Sequence, residues 1–179
     1  FMSAMTGRYT NSPETRFEAD LAAVRDLTSG QAFLAKLREI CATTLTNDYW
    51  EITLPSQLAT SAARSPSLFA YQAALIKLDA PALFSPMKLA AMVDPAIKGS
   101  KAALEQHHLF PRGFLEDQGV KDLKLINQIA NFAPVEWPAN IKIGKQSPSL
   151  YVPALDAAQS QSERDLANRF HALPSAWWE

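Results

Sequence analysis

The chain has 179 residues, 47% apolar and 20% charged, with 17 basic against 18 acidic side chains. Enough apolar surface is present to offset chain entropy, which excludes wholesale disorder, and the composition is neither collagen-like nor coiled-coil. A net charge of −1 and a pI near 6.4 exclude a histone-like or basic-tail binder of polyanions.

The length suits one to one and a half domains of about 100–200 residues. No apolar run reaches the roughly 18 residues that a membrane span needs. The opening Phe1-Met2 reads as an internal piece of a longer protein or an appended scar. With no charged-then-apolar leader, the expectation is a reducing cytoplasm. Cys41 is the single cysteine, so neither an intrachain disulfide nor a cysteine-built zinc knuckle is expected. Beside Ile40 and Ala42 it reads as a buried core thiol.

Four Ser-Pro pairs mark helix starts: Ser12-Pro13, Ser65-Pro66, Ser85-Pro86 and Ser147-Pro148. A serine oxygen can accept from a free backbone N–H, and proline's missing N–H costs nothing in a first turn. From Pro13, Phe17, Leu21, Val24 and Leu27 form a helical stripe ending near Gly30. Ser29 caps a second helix with Phe33, Leu34, Leu37, Ile40 and Cys41 on one face. Tyr49-Trp50-Glu51-Ile52 reads as extended or looped. Helices over 66–78 and 86–93 are apolar nearly all round, which predicts packed core. Gly99-Ser100 is the best internal punctuation, dividing a helical region, 1–98, from a second module, 99–179. The final helix, about 160–173, is expected to pack back on the core. Residues 98–145 carry 7 basic and 5 acidic side chains and are the net-positive stretch.

The chemistry-bearing stretch is Glu105-Gln106-His107-His108-Leu109-Phe110-Pro111-Arg112. Adjacent strand residues point to opposite faces, so neighbouring histidines do not share one job. At a twisted strand end one ring can hold a metal while the other faces a water beside it; the plainer reading is one packed and one solvated histidine. Downstream, Asn131-Phe132-Ala133-Pro134-Val135-Glu136 reads as a second short strand. A short helix follows, opened by Pro138 and stopped by Gly144, with Asn140 in its first turn.

A hairpin and short helix carrying His-His, Asn and Asn in this order resemble the HNH nuclease module, also called the His-Me finger or ββα-metal fold. His107–Arg112, Asn127–Asn131, Asn140–Ile143 and Ser147–Tyr151 are similar, in order, to the C-terminal HNH domain of GmrSD-like restriction proteins. Thr6–Tyr9, Ala62–Ser65 and Phe69–Leu75 are similar to that family's connecting helical region, so the resemblance runs over about 6–153 and is densest over 105–151. It implies an α+β, mostly α fold: a helical N-terminal region packed against a small ββα-metal module that bears a C-terminal helix. No stretch resembles the family's ParB/sulfiredoxin-like domain, which is therefore expected elsewhere in the full-length protein or as a partner chain.

The resemblance also implies roles. His108 would be the general base, a task for which a histidine pKa of about 6.5 is suited near neutral pH. His107, where HNH modules often carry Asp, and Asn140 would ligate a divalent metal. Asn131, the middle Asn, would brace the loop and orient the base. Mg²⁺ is the expected ion by availability, and a His/Asn ligand set also suits Mn²⁺, Ni²⁺ or Zn²⁺. The expected function is a cytoplasmic, metal-dependent endonuclease hydrolysing DNA, in a restriction or antiviral-defence setting that acts on modified DNA such as glucosylated hydroxymethylcytosine. The alternative is a non-cleaving nucleic-acid- or partner-binding module on the same fold.

Arg112, Lys142 and Lys145 flank the motif as phosphate contacts or as ordinary solvated charge. Glu105 and Glu136 either tune the histidines or are surface carboxylates. His171, beside Phe170 and Leu173, reads as structural, and Trp137, Trp177 and Trp178 read as packing residues rather than base-stacking ones.

Overall fold

The computed structural model describes residues 2–60, 65–93 and 104–179, and the expected 98/99 boundary falls outside them. The fold is α+β and mostly helical, with a small two-stranded antiparallel sheet. Among the described residues no helix is long and apolar enough to cross a membrane.

The chain divides into two compact units, the first running to Ala59 and taking in 65–70, the second taking in Thr60 and Tyr71 onward. The first holds α1 (Met2–Met5), α2 (Pro13–Val24), α3 (Gly30–Thr44), a π-helical turn at Tyr49–Thr53, and α4 (Leu54–Leu58). Ser29 caps α3 as expected, its hydroxyl accepting from Ala32 N–H at 3.1 Å. Ser12 precedes α2 in a left-handed conformation, φ 52°, and makes no side-chain cap. Tyr49–Ile52 is therefore helical rather than extended: the Leu54 N–H reaches back to the Tyr49 carbonyl, five residues away. This unit is tied by polar contacts. Arg8 grips Asp20 with two bonds of 2.6 Å, Tyr9 adds a third at 2.8 Å, and the Arg8 guanidinium pulls the Asp20 carboxyl down to about 2. The apolar stripes of α2 and α3 are not interior: Phe17, Leu21, Phe33, Leu34 and Leu37 are all exposed, and Cys41 is half-buried rather than a core thiol.

α5 (Pro66–Lys77) starts at its Ser-Pro pair, with the Ser65 hydroxyl accepting from Ser67 N–H at 3.2 Å. It is not apolar core all round, because Leu68, Ala70 and Leu75 are buried while Phe69 and Ile76 are exposed. The expected helix over 86–93 shrinks to α6 (Leu89–Met92). The Leu89 N–H is bonded to Ala80 O and the Met87 carbonyl to Ala82 N–H, so a short antiparallel ladder takes the groups a helix from Pro86 would use. Phe84, at φ 66°, turns the chain, and the Ser85 hydroxyl accepts from Met87 N–H within that turn.

β1 (Leu104–His108) pairs antiparallel with β2 (Phe132–Glu136), in a register that puts His107 opposite Ala133 and His108 opposite Phe132. The long connection carries α7 (Arg112–Asp117), α8 (Leu123–Ile126) and a 3₁₀ turn at Ile129–Asn131. Leu83 donates to Pro134 O at 2.9 Å, so the stretch before Phe84 lies along the free edge of β2. β2 runs straight into α9 (Trp137–Ile143), which ends at Gly144 with φ 54°, a conformation glycine adopts without strain. α10 (Pro148–Asp156) buries Tyr151 and Val152 with Ile143. α11 (Gln161–Phe170) opens with a Ser160/Glu163 capping box and packs Ala167 against Val135, Ala133, Leu109 and Leu83, as the return to the core requires.

His171 ties the end of α11 to this core. Its Nε2–H donates to Pro81 O at 2.9 Å and its Nδ1 accepts from Tyr71 O–H at 3.1 Å. Both ring nitrogens are satisfied in the neutral state, the structural role its sequence position suggests, and burial pushes the ring below the ordinary histidine range. Below a pH of about 6.5 the unfolded chain therefore binds more protons than the folded one, and stability present above that pH is lost toward pH 5. We expect the urea midpoint to fall over that window. His171→Leu should flatten the fall while costing about 1–3 kcal/mol at pH 7.5 for each partner left unpaired. A pH slope unchanged in that variant would contradict the role assigned to the ring.

Candidate functional site

The two strands and α9 bring three sequence-distant side chains together on one face. β1 alternates, so Glu105 and His107 point to the side that α9 covers, while Gln106 and His108 point to the other. Asn140, in the first turn of α9, faces His107: its Oδ1 lies 2.7 Å from His107 Nδ1. An amide oxygen only accepts, so Nδ1 carries the proton in this contact. The other end of the same amide donates from Nδ2 to the Glu105 carboxylate. His107 is 4% exposed, and the Tyr151 ring meets it edge-on at 5.7 Å. Its Nε2 is buried and without a hydrogen-bond partner among the described residues. Burial holds the ring below the ordinary histidine range, only partly offset by the bond to Asn140, so it is neutral at pH 7.

His108 lies back to back with this pair, half-buried and stacked obliquely on Phe132 at 4.4 Å. Its Nε2 is 2.9 Å from Asn127 Oδ1. The same reasoning puts the proton on Nε2 and leaves a lone pair on Nδ1. Asn127 lies in a loop, where an Asn carries no periodic signal in the sequence. Its partner is 19 residues away.

Asn131 braces the loop but does not touch His108. Its Oδ1 accepts from Phe110 N–H at 2.8 Å, and its Nδ2 donates to Phe110 O at 3.2 Å and Ile126 O at 2.9 Å. Among the described residues none of its bonds reaches a histidine, so the amide that holds His108 belongs to Asn127. Tyr151 adds a second clamp on the same loop, its hydroxyl donating to Leu109 O at 2.6 Å.

The flanking cations are exposed. Arg112 is paired with Glu116 at 2.7 Å, a solvated i,i+4 contact of small energetic weight. Lys142 and Lys145 extend from the last turn of α9 and the residues after it, and the Lys145 stem passes so close to Gly113 that a Cβ there would sit 2.9 Å from it. That packing brings α7 and the end of α9 together. Glu136 faces away from His107 and accepts from the Ser85 hydroxyl. Trp177 packs among Phe110, Tyr151 and Trp178, a structural placement.

Whether these donors suit a divalent cation is a matter of their chemistry. A neutral imidazole and an amide oxygen meet at hydrogen-bond distance with a carboxylate beside them, which fits a borderline N/O-loving ion such as Mn²⁺, Ni²⁺ or Zn²⁺. Among the described residues no three His, Cys, Asp or Glu side chains gather at one point, so solvent or substrate oxygens would complete the coordination.

Comparison with known proteins gives little more. The chain is 38% identical over 69 residues to an uncharacterized protein of Methanocaldococcus jannaschii, a match covering 37% of this chain and 12% of that protein. No protein-family model and no solved structure matches the chain.

The bracing role of Asn131 is directly testable. Asn131→Ala should lower stability by about 0.5–1.5 kcal/mol, since its loss removes the bonds to the exposed Phe110 amide and carbonyl, which water can replace, and the more buried one to Ile126 O, and thermal or urea melts measure it. Asn131→Asp should fare no better, because a carboxylate cannot donate to Phe110 O and Ile126 O. A melt matching wild type in both variants would remove the brace from the account.

Proposed function

We propose that this chain is the nuclease half of a GmrSD-like restriction protein, a metal-dependent HNH endonuclease that hydrolyses DNA phosphodiester bonds. One observation carries the reading: a strand–loop–strand–helix unit in which His107 meets Asn140 while the adjacent His108 is held through Nε2 by Asn127, which leaves the Nδ1 lone pair without a bond to the described residues. The metal-binding and proton-accepting duties that the resemblance gives to neighbouring histidines thus have separate surroundings, one buried and one half-open to solvent.

In this reading His107 and Asn140 would hold the cation, the first through a neutral imidazole nitrogen and the second through its amide oxygen. When bound, the ion supplies Lewis-acid stabilisation of the charge that builds on the phosphate oxygens. His108 Nδ1 accepts a proton from the attacking water as its oxygen bonds to phosphorus and the ester P–O bond breaks; the leaving oxygen is protonated from solvent. Asn127 fixes the ring's tautomer, and Asn131 with Tyr151 keeps the loop from drifting under it. Arg112, Lys142 and Lys145 steer the DNA backbone. The setting that fits is a cytoplasmic restriction or antiviral system, with modified DNA as substrate and a nucleotide-dependent ParB/sulfiredoxin-like domain as partner.

Supercoiled plasmid incubated with Mg²⁺ or Mn²⁺ is expected to be nicked or cut, and EDTA to stop the reaction. His108→Ala should lower the rate about 10²–10⁴-fold, the usual weight of a positioned general base. Cleavage that persists in EDTA, or that is undiminished in His108→Ala, contradicts the proposal.

A further inference from the structure

Both direct donors of the proposed cation site are neutral, and one of them, Asn140, is an amide whose two ends have nearly the same shape and opposite polarity. Only the oxygen end can face a cation; the NH₂ end would present hydrogens to it. Something must therefore choose between the two orientations. The strand register identifies what does. Opposite Glu105 and His107 stand Val135 and Ala133, both buried and without polar side-chain atoms. On this face the amide's hydrogen bonds go to Glu105 and His107. A carboxylate accepts and does not donate, so it takes the Nδ2 end and turns Oδ1 toward His107.

We propose that Glu105 is a positioning residue of this site: its carboxylate locks the Asn140 amide with the oxygen toward His107 and so makes Asn140 a competent cation ligand. The inference rests on the metal-dependent reading above and adds to it a residue two positions before the histidine pair. Glu105 acts through Asn140 and touches neither the cation nor the DNA. Glu105→Gln keeps the size of the side chain but can accept or donate, so it no longer dictates which end of Asn140 it meets. Loss of such an orienting partner typically costs 10–100-fold in metal affinity.

The test is a Mn²⁺ titration of the full chain, followed by calorimetry and by the six-line paramagnetic resonance signal of free Mn²⁺, with thermal melts confirming that each variant is folded. Glu105→Gln should bind Mn²⁺ about 10–100-fold more weakly than wild type. Repeating the substitution in an Asn140→Asp background separates orientation from plain charge. A carboxylate at 140 offers oxygen at both ends and needs no orienting, so there Glu105→Gln should leave Mn²⁺ affinity unchanged or raise it by relieving repulsion. An equal loss in both backgrounds would mean that Glu105 acts as a direct ligand or a simple charge, and would overturn the proposal. Wild-type binding with Glu105→Gln unaffected would overturn it while leaving the nuclease reading intact. No Mn²⁺ binding by the wild-type chain would overturn the metal reading and the role of Glu105 with it.

Discussion

The second unit depends on the antiparallel pairing of two five-residue strands, β1 and β2. Side chains on a strand alternate, so once His107 stands opposite Ala133 the environments of both histidines follow. His107 is turned under α9 to a buried position beside Tyr151, Asn140 and Glu105, while His108 is turned toward Phe132 and the loop. A register slip of one residue would exchange those environments and put Gln106 where Glu105 is. Several devices hold the register in place. Asn131 pins the loop to the strand ends, Leu109 N–H bonds to Asn131 O at 2.8 Å, and Leu83 bonds along the outer edge of β2. The apolar layer of Leu83, Leu109, Ala133, Val135 and Ala167 backs the pairing.

Each histidine of the pair is matched to one asparagine, and the asparagine decides which ring nitrogen is free. Asn127 holds Nε2 of His108, whereas Asn140 meets Nδ1 of His107. Asparagine suits this work because its short amide carries an obligate acceptor and an obligate donor at fixed separation, and neither end titrates. A carboxylate in either place would add charge beside a buried or half-buried ring. His171, with both nitrogens satisfied by Tyr71 and Pro81, contrasts with His107, whose buried Nε2 has no partner among the described residues: a saturated ring cements the core.

The first unit is organised differently. Its internal contacts centre on Arg8, Tyr9 and Asp20, and the apolar rows of α2 and α3 lie at the surface. Periodicity announced those rows correctly as helical faces. Their exposure is compatible with that periodicity, because a 3.6-residue stripe reports that a helix has a side, not what covers it. The same distinction explains Phe69 and Ile76 on α5, and the half-buried Cys41.

Much of the site was legible from local signals. The paired histidines, the Pro138 and Gly144 boundaries of α9 and the second strand follow from turn chemistry and short-range alternation, which depend on neighbours a few residues away. What failed were readings in which a distant segment took over. The helix expected at Pro86 lost its groups to the ladder with Ala80 and Ala82, and Tyr49–Thr53 wound into a π-turn instead of extending. Asn127 and Glu105 meet His108 and Asn140 only because the fold sets them together, across 19 and 35 residues. The sequence by itself determined which residue types were present for chemistry and the local elements that carry them. Tertiary structure alone decided which amide faces which ring nitrogen, because hydrogen-bond partners so far apart in the chain are chosen by strand register and helix docking rather than by local preference.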